Sequence, residues 1–109
     1  MKLISAMIRP YLLDDVRHAL EQFGRVTSIT EIRTYDPRPV ALHAHRGGEY
    51  PAEFVPKIKI EIIVPAAQVE NAIKIIRKTA MTGHVGDGTI FVMPVDQLLR
   101  IRTGEVDVD

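Results

Sequence analysis

The sequence predicts an α+β protein with a ferredoxin-like fold, in which an antiparallel sheet carries both helices on one face. Two amphipathic helical stripes lie between runs of apolar and β-branched residues, and together they give the order β-α-β twice, in halves of similar length. The 109 residues are 46% hydrophobic and 26% charged, which is typical of one folded domain with a modest core. We therefore expect a single domain over residues 1–109.

The first half of the chain predicts strand, helix and strand. Residues 2–8 are mostly apolar and are followed by an Arg-Pro dipeptide, the pattern of a buried strand that ends there. The helix begins near Asp14, whose charge suits the positive end of the helix dipole, and ends at Gly24. Residues 25–35 are rich in β-branched side chains and predict the second strand. The helix presents one apolar stripe, formed by Leu13, Val16, Leu20 and Phe23.

The second half repeats this order. Residues 57–62 alternate between charged and apolar side chains, as in a strand with one face in water. A second helix opens at Pro65, and residues 89–95 form the last strand after a glycine-rich turn. The stripe of this helix consists of Val69, Ala72, Ile73, Ile76 and Ala80. Because both helices would cover one face of the sheet, we expect self-association to cover the other.

Residues 36–54 do not belong to this scaffold. They contain three prolines and two adjacent glycines, and they show no sustained hydrophobic period. A loop of this length in a compact domain is usually functional, so we expect it to contact a ligand or a partner.

The composition argues against several classes of protein. Lys plus Arg and Asp plus Glu both number 14, and the resulting net charge of zero argues against a nucleic-acid binder. The absence of cysteine removes disulfides, thiol nucleophiles and thiolate metal sites. No run approaches the roughly 20 apolar residues of a membrane helix, and the first residues lack the pattern of a signal peptide. We expect a cytoplasmic protein that neither binds nucleic acid nor inserts into a membrane.

Two features suit phosphate binding. Gly83, Gly86 and Gly88 allow backbone amides to approach a phosphate closely, although a tight helix-to-strand connection would use the same residues. In an extended segment, Arg100 and Arg102 would point the same way and clamp one polyphosphate. The alternative is a solvated edge that carries two charges.

Histidines give a weaker signal. His43 and His45 have the spacing of two metal ligands, but no second ligand cluster lies nearby, and the pattern favours surface histidines of a loop over a metal site. We expect no metal site and, because no nucleophile and base can be paired, no catalytic residues. A small phosphohydrolase with the glycine turn and the arginines as an oxyanion clamp is a further alternative.

Several motifs follow one another along the chain: Arg9-Pro10, LDDVRHAL (13–20), RGGEY (46–50), FVPKIKIEIIVP (54–65), TGHVGDGTIFV (82–92) and RIRTGE (100–105). With these motifs in this order, the sequence resembles the PII nitrogen-regulatory signalling proteins nearly from end to end. The resemblance implies a homotrimer of ferredoxin-like subunits that binds adenine nucleotides in the clefts between subunits. Residues 36–54 would be the T-loop, which contacts target proteins, residues 82–89 the phosphate-binding B-loop, and residues 96–109 the C-terminal segment.

Site residues follow from the resemblance, position by position. The phosphates would face Gly86, Asp87, Gly88 and Thr89, with Arg100 and Arg102 reaching in from the neighbouring subunit. The rest of the nucleotide site would comprise Met7, Ser28, Tyr35 and Ile63. Loop cations for a second effector would be Arg38, Arg46 and Lys57, and Tyr50 matches a tyrosine that some members have uridylylated.

Two departures from the family pattern affect the expected ligands. Thr89 stands where the family usually has a lysine, so ATP should lose more affinity than ADP or AMP. Residues 36–39 (DPRP) replace the usual Gly-Arg-Gln, whose glutamine helps to bind magnesium and 2-oxoglutarate. We therefore expect a non-enzymatic, PII-like signalling trimer that binds ADP, AMP or ATP, with the use of magnesium left open.

The same resemblance predicts the partners of the chain. Its T-loop would regulate a target protein, either a transporter or an enzyme, with a second small anion such as bicarbonate. Two alternatives are a classical nitrogen regulator that senses 2-oxoglutarate with Mg-ATP and a metal-binding trimer that uses His43 and His45.

Overall fold

The computed structural model describes residues 1–35 and 54–108 and contains every predicted helix and strand. Short 3₁₀ turns flank the helices at 10–12, 21–23 and 66–68. In chain order the elements are β1 (Lys2–Ile8), α1 (Leu13–Leu20), β2 (Val26–Tyr35), β3 (Phe54–Val64), α2 (Val69–Ala80), β4 (Thr89–Pro94), β5 (Gln97–Leu99) and β6 (Val106–Val108).

The main sheet has the strand order β2-β3-β1-β4, and all its pairings are antiparallel. The first strand lies inside the sheet, where Lys2 is opposite both Val64 on β3 and Pro94 on β4. A register shift between Val26 and Ser28 marks the start of β2. This topology confirms the ferredoxin-like α+β fold.

The core lies between the two helices and one face of the sheet. Alternate residues of β1 and β3 point into it, because side chains of a strand alternate between the two faces. Every helix residue that is fully buried belongs to one of the two predicted stripes, as expected from the helical period. The largest fully buried side chains are Ile4, Ile8, Val16, Leu20, Ile60, Ile62, Val64 and Ile76.

Neither helix of the described residues covers the other face of the sheet. Its side chains run in rows across the four strands, and one row consists of Ser28, Glu61, Ser5 and Phe91. Phe91 is 48% exposed, and two residues along β4 Met93 is 42% exposed. We call this surface the open face; its burial in an oligomer stays a prediction.

The C-terminal segment corrects one expectation. Arg100 and Arg102 do not lie in an extended segment, because β5 and β6 form a hairpin whose turn contains residues 101–103. Gly104, with a φ of +76°, closes the turn and donates its N–H to the Arg100 carbonyl at 2.7 Å. The Arg100 N–H in turn donates to the Glu105 carbonyl at 2.9 Å. A glycine in the left-handed region lets the chain reverse here. The two arginines therefore do not lie together on one extended segment.

The boundary of the long loop also differs by one residue. Phe54 was expected to end the loop, but it is the first residue of β3 and lies opposite Tyr35 at the end of β2. Residues 36–53 lie outside the described residues. In the part that is described, no helix is long and apolar enough to cross a membrane.

Candidate functional site

The glycine-rich B-loop, residues 82–89, connects α2 to β4 and lies against the end of β1. Gly83, Gly86 and Gly88 all have positive φ angles, which bend the loop sharply enough to enter the sheet at Thr89. Thr89 lies opposite Met7 on β1. The loop backbone is therefore held beside β1.

Asp87 holds the loop in this shape. Its carboxylate accepts hydrogen bonds from the Thr82 N–H at 2.8 Å, from the Gly83 N–H at 3.0 Å and from the Thr82 hydroxyl. The Arg9 Nε donates a further one at 3.1 Å. The Thr82 hydroxyl, helped by the other donors, holds the pKa of Asp87 far below its usual range. The Asp87 side chain is thus committed to the loop, and its predicted contact with a phosphate stays a prediction.

Arg9 ties the end of β1 to the B-loop. Besides its bond to Asp87, it donates from Nη2 to the Val85 carbonyl at 3.1 Å. Its side chain is 25% exposed and passes within 3.4 Å of the point where Gly86 would carry a Cβ atom. Sequence reasoning assigned Arg9 to no site, since a partner 78 residues away leaves no local signal.

These elements enclose a cleft of about 410 Å³ between the B-loop, β1 and the facing ends of β2 and β3. We call it the B-loop cleft. Its walls combine apolar side chains, loop backbone and the cationic side chains of Arg9 and Lys57, a mixture that suits an organic anion. It is lined by Met7, Arg9, Thr34, Tyr35, Val55, Lys57, Val85, Gly86, Gly88 and Thr89.

Sequence reasoning and the structure overlap strongly at this cleft. Lys57, expected at a second effector site, lines it and is only 6% exposed. The residues that sequence reasoning did not assign are Arg9, Thr34, Val55 and Val85. Of the predicted nucleotide-binding residues, the structure brings five together here, namely Met7, Tyr35, Gly86, Gly88 and Thr89.

Other predicted residues lie elsewhere in the subunit. Asp87 lines a second cleft of about 380 Å³ beside the end of α2. Ser28 donates its hydroxyl to Glu61 at 3.0 Å on the open face, and Ile63 lies on the same face. Both positions are outside the B-loop cleft of their own chain.

The two predicted arginines lie on the hairpin and not in this cleft. Arg100 donates from Nη1 to Asp107 at 2.8 Å, and this hydrogen bond, together with the negative charge of Asp107, raises the pKa of Arg100. Arg102 is exposed on the turn. In the subunit by itself, Arg100 is therefore paired with a carboxylate.

The remaining predicted positions lie outside the described residues; they are Arg38, Arg46, Tyr50, His43 and His45. Within residues 1–35 and 54–108, no group of three histidine, aspartate or glutamate side chains is arranged to hold a metal ion.

The fold and the cleft define a small ferredoxin-like protein with a glycine loop beside a partly cationic cavity. The family model described as "Nitrogen regulatory protein P-II" matches residues 1–105. The nitrogen regulatory protein P-II of Haemophilus influenzae is 46% identical over 110 residues, which span all of this chain and 98% of that protein. The Escherichia coli K12 protein P-II 1 is 45% identical over 98% of this chain and 96% of its own length.

A solved structure agrees with these matches. The crystal structure of Arabidopsis thaliana PII bound to citrate has a TM-score of 0.76 and 34% sequence identity, covering 97% of this chain and 84% of the plant chain. The chain therefore belongs to the nitrogen regulatory protein P-II family. Members of this family are signalling proteins and not enzymes.

Proposed function

We propose that this chain acts as a homotrimeric signalling protein that binds ADP, AMP or ATP in clefts between subunits. In this proposal the bound nucleotide controls how residues 36–53 engage a target protein. The observation that supports it most directly is the B-loop cleft, where glycine backbone, an apolar wall and two cationic side chains meet.

The cleft is suited to a nucleotide because its two sides differ. Backbone amides of Gly86 and Gly88 provide donors that need no side chain, and consecutive amides form a nest for phosphate oxygens. Met7, Val55 and Tyr35 provide apolar surface for a base or ribose. Phosphates would thus lie at the loop, and the rest of the nucleotide would lie along β1 and β3.

Subunit contacts would complete this site. The half-exposed Phe91 and Met93 on the open face favour a covering partner, and a second and third copy of the same sheet would supply it. The hairpin carries Arg100 and Arg102 outside their own cleft, so they would serve the cleft of a neighbour. Packing of open faces would likewise bring Ser28 and Ile63 towards a nucleotide.

The proposed signal passes through the ends of the long loop. Tyr35, the last described residue before the loop, lines the B-loop cleft, and its ring lies 5.8 Å from that of Phe54, which follows the loop. A ligand in the cleft would therefore touch both strands from which the loop leaves the sheet. Nucleotides with different affinities for two loop arrangements would shift the population between them.

A second anion is proposed at Lys57. Its largely buried side chain lines the same cleft, where a small carboxylate such as 2-oxoglutarate, or bicarbonate, would find a cationic partner. The citrate in the Arabidopsis protein is a carboxylate ligand of a relative. Arg38 and Arg46 are the further loop cations proposed for this ligand.

Calorimetric titration of ATP, ADP and AMP, each with and without magnesium and 2-oxoglutarate, tests the proposal, with light scattering to measure the trimer. We expect a trimer with saturable nucleotide binding and with ADP or AMP bound about as well as ATP. A monomer, or no heat with any nucleotide, would exclude the proposal. ATP binding that tightens markedly with 2-oxoglutarate would instead indicate the classical nitrogen regulator.

A further inference from the structure

We propose that Arg9 is a phosphate-contacting residue of the B-loop cleft and supplies the positive charge that Thr89 does not carry. This inference rests on the proposed nucleotide function. It adds the residue through which affinity would depend on the number of phosphates. Arg9 and Thr89 line the same cleft, together with Gly86 and Gly88.

The position of Arg9 follows from its fixed contacts. The Nε atom is held by Asp87 and the Nη2 atom by the Val85 carbonyl, both at 3.1 Å. Two bonds to different points of the loop fix the plane of the guanidinium group, so it is ordered before any ligand arrives. Such preorganisation reduces the entropy that is lost when a ligand binds.

The guanidinium group also keeps donors for a ligand. A guanidinium has five N–H donors, and the two contacts above occupy one on Nε and one on Nη2. Among the described residues, Nη1 has no hydrogen-bond partner. The three remaining N–H groups, two on Nη1 and one on Nη2, are left for a ligand.

Asp87 does not occupy the remaining donors of Arg9. Its carboxylate accepts from Thr82 and Gly83 as well as from the Arg9 Nε, so it engages one of the five N–H groups of the guanidinium. Nη2 lies 3.4 Å from the position of a Cβ on Gly86, at the backbone proposed for the phosphates. An anion on the Gly86 amide would therefore lie beside a planar forked cation.

The test measures the affinity of adenosine, AMP, ADP and ATP for the trimer with Arg9 and with Arg9→Gln. We expect the wild type to gain affinity from the phosphates and Arg9→Gln to lose about tenfold for ATP and much less for AMP, as removal of a charge-assisted contact predicts. Thr89→Lys in the Arg9→Gln background should restore the preference for ATP. Arg17→Gln on α1 removes the same charge far from the cleft and should change none of the four affinities.

Three other outcomes have distinct meanings. If Arg9→Gln weakens all four ligands equally, Arg9 only braces the loop and the inference is wrong. If the variant binds like the wild type, Arg9 does not contact phosphate. If the wild type binds no nucleotide, the proposed function itself fails and the inference fails with it.

Discussion

Gly88 packs directly against the backbone of Met7, and a Cβ atom built on Gly88 would lie 1.8 Å from the Met7 carbonyl oxygen. The φ of Gly88 is +109°, a conformation that side chains with a Cβ rarely adopt. The next residue, Thr89, pairs with Met7 to begin β4. The absence of a side chain at Gly88 thus lets the B-loop join the sheet.

Replacing Gly88 with alanine should destabilise the fold. The added methyl group would collide with β1, and the left-handed backbone would be strained, so we expect a loss of roughly 3 kcal/mol or more in the free energy of unfolding. Urea denaturation measures this loss. The matched control is Gly83→Ala, whose φ is also positive but whose added Cβ would meet nothing within 4 Å. Equal losses in the two variants would show that the close approach to Met7 does not affect the free energy of unfolding.

A cation at the start of β4 should increase the affinity for ATP relative to that for AMP. Thr89→Lys would place an ammonium group at the mouth of the B-loop cleft, and we expect ATP to tighten by about tenfold and AMP by much less. Isothermal titration with each nucleotide gives the ratio. Gln22→Lys, which adds the same charge beside α1, is the control and should leave the ratio unchanged. An identical gain for AMP and ATP would argue against phosphate contacts at this position.

Removing the intrachain partner of Arg100 should strengthen binding of the most highly charged ligand. Asp107 occupies the Arg100 guanidinium at 2.8 Å, and phosphate would have to compete with this carboxylate. Both side chains are about half exposed, so in Asp107→Asn we expect ATP affinity to rise by no more than about fivefold. Asp96→Asn, which changes the net charge equally without touching Arg100, is the comparison. A weaker affinity in Asp107→Asn would show that Asp107 positions Arg100 and does not compete for it.

Asp87 should make stability depend on pH in the acid range. Its pKa in the folded protein lies below the ordinary value of 3.8, because donors led by the Thr82 hydroxyl favour the ionised form. The unfolded chain therefore binds the proton more readily, and the stabilisation is fully present above that ordinary value and is lost as the pH falls towards the lower folded value.

Thermal unfolding at pH 7, 5, 3 and 2 tests this dependence. Asp87→Asn should unfold at a lower temperature at pH 7 and should show a smaller further decrease between pH 5 and 2 than the wild type. Asp14→Asn, on the exposed start of α1, is the control that removes one carboxylate away from the B-loop. Parallel curves for Asp87→Asn and the wild type would refute a role of the Asp87 carboxylate in acid sensitivity.

The helices and strands could be predicted because the spacing of apolar residues within a short segment indicates which side chains are buried. Val16 and Leu20 on α1, and Ala72 and Ile76 on α2, are buried where the helical spacing places them. The site was only partly predictable from residue patterns. The glycine turn signals a tight backbone, but the bond from Arg9 to Asp87 joins residues 78 apart and appears only in the folded chain.

The C-terminal hairpin was missed for a different physical reason. Its strands, Gln97–Leu99 and Val106–Val108, are three residues long, too short to show an alternating pattern. The single glycine at Gly104 reverses the chain, and a lone glycine in a polar segment is an ambiguous signal.

The position of β1 has a consequence for how the chain reaches its fold. Its partners, β3 and β4, begin at Phe54 and Thr89, so neither edge of the first strand can be satisfied by neighbouring sequence. The first strand cannot pair with a nearby segment of the chain, so long loops must close before its hydrogen bonds form. Folding is slower for topologies with such distant contacts. During synthesis, the first strand to leave the ribosome would be the last to have partners on both sides.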